Sequence, residues 1–130
     1  MAAAASPAFA AGDAAKGEAA FKQCQTCHAV VNEAGELLAG KNSKTGPNLY
    51  GVIGRQIGTA ADFKYGESIV AAGADGTVWD EAMLALYVTD PTAWLKEKTG
   101  DAAAKSKMSF KLAKGAEDMA AYLASVKPAL

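Results

Sequence analysis

The chain is short of the residues that build most metal and catalytic centres: its 130 residues include one histidine, His28, and two cysteines, Cys24 and Cys27. A tetrahedral zinc site takes four ligands, so a carboxylate would have to complete one here. One histidine also excludes paired imidazole ligation within the chain and leaves a peroxidase without a second histidine as acid or base. A long apolar run is missing too, and a membrane-spanning helix needs about 20 such residues. The expectation is a chain that does not span a membrane. Basic excess is absent: 13 Lys and Arg face 14 Asp and Glu, which argues against a nucleic-acid partner. No internal repeat and no shift of composition divides the sequence, so one domain is expected.

Met1 to Ala10 ends in Ala8-Phe9-Ala10, a small-residue pattern like a secretory cleavage site, without the basic start and most of the apolar stretch of a full signal. Residues 1–10 therefore read as a leader remnant and residues 11–130 as the single domain. If so, the working chain begins near Ala11 and acts outside the cytoplasm, in the periplasm.

What is present is punctuated helix. Asp13 can cap a helix running through Ala20 and Phe21 to the cysteines. From Gly35 to Gly58 glycines and Pro47 interrupt every helical period. A loop that long is uncommon in a compact domain unless it wraps something. A short helix is expected from about Phe63 to Ala72, and another after Asp80 with Met83, Leu84, Tyr87 and Val88 as its stripe. Asp90 and Pro91 start a further helix, carrying Trp94 and Leu95, that Gly100 ends. Met119, Tyr122, Leu123 and Val126 give the last helix, before Pro128. No segment reads as a strand. The class is all-α, about five short helices and long loops.

Cys24-Gln25-Thr26-Cys27-His28 carries the chemistry. Two thiols one helical turn apart can add to the two vinyl groups of one haem, and the adjoining histidine then lies under the iron. A thioredoxin-type pair wants a strand-helix context that is lacking. A disulfide across so short a loop would close little chain. Haem c, with its iron, is the reading that uses all three residues. It would also supply core material to a chain whose apolar content is largely alanine.

The second axial ligand is then methionine, lysine or nothing. Met1 is terminal, while Met83 and Met119 sit on helical stripes as core filler. Met108 lies in the polar segment Lys105-Ser106-Lys107-Met108-Ser109-Phe110, where burial is not the default. A soft thioether suits iron at high potential. An iron closed on both faces by His28 and Met108 has no open position for a substrate, so an electron carrier is expected and not an enzyme.

Gly12-Asp13 through Lys16-Gly17, Phe21, the Cys24 to His28 motif, Thr45 to Gly51 and Gly54-Arg55 resemble the class I cytochromes c, in order. The match continues through Phe63, Tyr65, Trp79, Tyr87, Met108 and Tyr122, and Lys44 to Gly51 is most similar to the bacterial cytochrome c2 type. The resemblance implies that Pro47 offers its carbonyl to His28 and that Arg55, Tyr65 and Trp79 surround the haem propionates. It implies that Gly17 and Phe21 pack on Met119 and Tyr122. The segment before Met108 is longer than in mitochondrial relatives and lacks their Pro-Gly lead-in, leaving Ser106 and Tyr87 as candidates to bond the sulfur. Implied partners are the cytochrome bc1 complex as donor and a photosynthetic reaction centre or cytochrome oxidase as acceptor.

Lysines gather between Lys96 and Lys114, opposed there by Glu97 and Asp101. Such a run is either a solvated loop or a docking surface. The carrier reading makes Lys22, Lys96, Lys105, Lys107 and Lys111 a ring around the haem edge, giving a monomer with transient, salt-sensitive contacts to acidic partners. The rival reading is a haem-based gas or redox sensor in which Met108 gives way to a diatomic ligand.

Overall fold

The computed structural model describes residues 12–41, 43–61 and 63–128. The leader and the start near Ala11 lie outside them. The chain opens with α1, Ala14–Ala20, capped by the Asp13 carboxylate, which accepts from Ala15 N at 2.9 Å and Lys16 N at 3.3 Å. A 3-10 turn, Phe21–Gln23, tightens its end. The other helices are α2 (Glu67–Gly73), α3 (Glu81–Thr89), α4 (Pro91–Thr99) and α5 (Ala116–Ser125). Asp80 and Asp90 cap α3 and α4 through Met83 N and Ala93 N, and Gly100 ends α4 with a left-handed φ of 72°.

Two elements depart from expectation. Ala29–Val31 (β1) and Leu37–Gly40 (β2) form an antiparallel hairpin, pairing Ala29 with Gly40, Val30 with Ala39 and, after an irregularity between Val30 and Val31, Val31 with Leu37. Asn32 closes its turn by accepting from Ala34 N and Glu36 N. The Asn48 side chain then bonds both Val31 N and Val31 O, standing in for a third strand. The second departure is α2, which begins at Glu67 instead of near Phe63, with extended Gly66 as its cap. Phe63 and Tyr65 stack edge to face ahead of it.

α1 crosses α5 so closely that a Cβ on Gly17 would sit 1.9 Å from the Asp118 carbonyl oxygen. Phe21 meets Tyr122 beside that crossing, with ring centroids 6.0 Å apart. α3 packs on α5 and α4, and α4 on α2. The core runs through Val30, Ile57, Leu95, Leu112, Met119 and Leu123, all fully buried, each contributing roughly 1.5–3 kcal/mol. Met119 is core, as its stripe predicts. Among the described residues no helix is long and apolar enough to cross a membrane.

Candidate haem cavity

The Cys-x-x-Cys-His segment follows the 3-10 turn as one more tight turn, with Cys27 N and His28 N both donating to Cys24 O, at 3.1 and 2.9 Å. That turn puts Cys24, Cys27 and His28 on the wall of one cavity of about 490 Å³, a size usual for cofactor sites. Burial pushes the Cys24 thiol up to about 11, with Cys27 beside it adding to the rise. A redox dithiol needs the opposite shift.

The loop from Thr45 to Pro47 crosses the His28 ring. Gly46 N donates to Cys27 O at 2.6 Å, and a Cβ on Gly46 would lie 2.4 Å from His28 Cε1. His28 Nδ1 lies 2.9 Å from the Pro47 carbonyl oxygen, so Nδ1 carries the proton and Nε2 keeps its lone pair. Burial holds His28 below its ordinary pKa, the Pro47 bond opposing.

The other expected residues arrive from separate elements. Arg55, Tyr65, Trp79 and Met108 all line this cavity. Arg55 Nη1 reaches Tyr50 O at a long 3.4 Å and has no carboxylate partner among the described residues. Burial lowers its pKa, with Tyr65 beside it opposing. The Tyr65 hydroxyl accepts from Ala60 N at 2.9 Å. Trp79 is buried, packed with Tyr87 and Trp94 at centroid separations of 5.0 and 5.3 Å. Its indole N–H donates to no acceptor among the described residues. A part-buried guanidinium with one long bond and an indole N–H with none, both from residues on the cavity wall, fit a group bearing carboxylates. Two thiols, a lone-pair imidazole and a thioether fit the iron and vinyl groups of haem c.

The lysines divide. Lys105 and Lys107 line the cavity, whereas Lys22, Lys96 and Lys111 are exposed away from its wall. Lys111 pairs with Asp90 at 3.6 Å. Neither Ser106 nor Tyr87 bonds the Met108 sulfur; the Ser106 hydroxyl accepts from Met108 N at 2.9 Å and lies 3.4 Å from the Tyr87 hydroxyl. Sequence reading missed Thr92 and Ser68, which accept from Ser106 N and Lys105 N. Their partners are backbone groups far along the chain, and no residue type signals that. A second hollow, about 590 Å³ between α3 and α5, holds none of the expected residues.

No protein-family model matches the chain. Cytochrome c2 of Rhodobacter capsulatus is 60% identical over 122 residues, 94% of this chain and 88% of that protein. Cytochrome c-550 of Paracoccus pantotrophus is 54% identical over 119 residues, 90% of this chain and 88% of its own. Among solved structures, cytochrome c2 from Rhodobacter capsulatus superposes with a TM-score of 0.86 at 58% identity, covering 88% of this chain and 98% of that one. Ferric cytochrome c-550 from Paracoccus versutus gives 0.86 at 51% identity, over 90% and 99%. Such identity along nearly the whole of both chains, with a shared fold, places the chain in the class I cytochromes c, within the bacterial cytochrome c2 family.

Proposed function

We propose that the chain holds one haem c through Cys24 and Cys27, with His28 and Met108 as axial ligands, and shuttles single electrons in the periplasm between membrane complexes. Family membership makes it a haem electron carrier. The attachment, the ligand pair, the compartment and the partners are the reading offered here. It is carried by one observation: a motif after the first helix and a methionine strap far along the chain line the same cavity.

Bound haem c supplies a one-electron couple. The chain's residues do the rest. Pro47 fixes the His28 tautomer and so aims Nε2. Met108 offers a soft thioether, which favours a high potential. Arg55 and Trp79 offer donors to carboxylates that would otherwise be buried without partners. With His28 and Met108 both engaged, small ligands have no open position, which favours charge transfer over catalysis or sensing.

The donor in this reading is a cytochrome bc1 complex, and the acceptor a photosynthetic reaction centre or cytochrome oxidase. The protein docks as a monomer, briefly, through Lys22, Lys96, Lys105, Lys107 and Lys111 on acidic surfaces. Acid acetone tests the attachment: the colour should stay with the protein, and an extractable pigment would overturn it. Carbon monoxide separates carrier from sensor. The reduced protein should refuse it at neutral pH, and ready binding would favour the sensor.

A further inference from the structure

The strap that carries Met108 is held in an unusual way. From Lys105 to Lys111 the backbone neither gives nor takes a backbone-to-backbone hydrogen bond among the described residues. Such bonding stops at Ala104 N, on Asp101 O, and resumes at Leu112 N, on Val88 O at 2.8 Å. Hydroxyls take its place. Lys105 N donates to Ser68 Oγ and Ser106 N to Thr92 Oγ1, both at 3.1 Å, and the Ser106 hydroxyl in turn accepts from Met108 N. Ser68 belongs to α2 and Thr92 to α4, two helices that pack on each other.

We propose that Thr92 and Ser68 are positioning residues, a pair of hydroxyl latches that hold the Met108 strap to α2 and α4 and set how readily its sulfur yields its place. The inference rests on Met108 being the sixth ligand. A segment without ladder bonds opens as a unit between its fixed ends once its side-chain anchors release. Ala104 and Leu112 are those ends, both fully buried. Thr92 is the stronger latch, because the residue it holds, Ser106, also accepts the Met108 N–H. Losing it loosens Ser106, the residue that holds the Met108 N–H.

Imidazole added to the oxidised holoprotein probes the opened position, and amide exchange at Ser106 reports strap opening directly. Thr92→Val should tighten imidazole binding about fivefold and speed Ser106 exchange by a similar factor, the loss of one hydrogen bond. Ser68→Ala should give a smaller change of the same sign, and Thr92→Ser should restore parental behaviour. Thr89→Val removes a hydroxyl bonded to Ala85 O on α3 and should leave both readings within about twofold of the parent. Parental values in Thr92→Val, or an equal rise in Thr89→Val, would overturn the latch. A parent protein without a sulfur-to-iron absorption band would instead overturn Met108 ligation, and Ser106 exchange would still decide the latch.

Discussion

Gly46 governs where the His28 ring can lie, because the space a methyl group would need is filled by the ring itself. Gly46→Ala must push either the ring or the loop aside, and overpacking of this kind costs about 1–3 kcal/mol. Thermal unfolding of the holoprotein should show that loss together with a changed iron spectrum; a parental Tm and spectrum would contradict the contact. Arg55 has a different task. Arg55→Leu removes a part-buried positive charge from the cavity wall, which favours the oxidised state. The reduction potential should fall by roughly tens of millivolts, and a rise would contradict the placement. Much of this site was legible beforehand. The Cys24 to His28 spacing is a local, covalent requirement, and Met108 stood out by elimination. Arg55, Tyr65, Pro47 and Trp79 came through family resemblance, since nothing in a lone arginine or tryptophan declares which cavity it will line. Thr92 and Ser68 stayed hidden because their partners are main-chain N–H groups.

The α1 and α5 helices are joined where Gly17 lies against Asp118 O and the Tyr122 side chain. Asp13 N adds a tie to Asp118 Oδ1 at 2.8 Å. Gly17→Ala should therefore cost about 3 kcal/mol, read as a lower denaturant midpoint with an unchanged slope. A loss no larger than that of an exposed alanine substitution would contradict the crossing. Helices were readable because caps and periods are local: Asp13, Asp80, Asp90 and Gly100 mark ends at which the chain does turn. The hairpin was not. Its strands of three and four residues are too short to show alternation, and Leu37 and Leu38, consecutive in β2, are both exposed. Its pairing is set by Asn32 and Asn48, side chains that otherwise read as loop. The start of α2 was misplaced because Phe63 and Tyr65 pack on each other, a contact that helical periodicity cannot distinguish from a stripe.

Charge over the whole surface is uneven, and the lysines are not equivalent. Lys105 and Lys107 border the cavity, while Lys111 is offset by Asp90. Lys105→Glu or Lys107→Glu should slow association with an acidic redox partner at low salt by about tenfold, Lys111→Glu by less, and added salt should erase the difference. Equal effects at all three would contradict this. Away from the cavity, Asp75 ties the end of α2 to α4. The Thr77 hydroxyl, then Lys98, hold its carboxylate at about 2, below its ordinary 3.8. The folded value is the lower one, so its contribution is full above about pH 4 and lost as pH falls toward 2. Asp75→Asn should flatten that part of the acid unfolding curve, and a curve that keeps its parental slope would contradict it. The proposed function depends on His28 and Met108, which line one cavity, acting together as ligands, so the most direct measurement is the visible and near-infrared spectrum of the purified protein in both redox states. The expected result is a thioether-linked haem spectrum when reduced and a sulfur-to-iron band when oxidised, the band vanishing in Met108→Ala. Colourless protein, or an oxidised spectrum without that band, would contradict it.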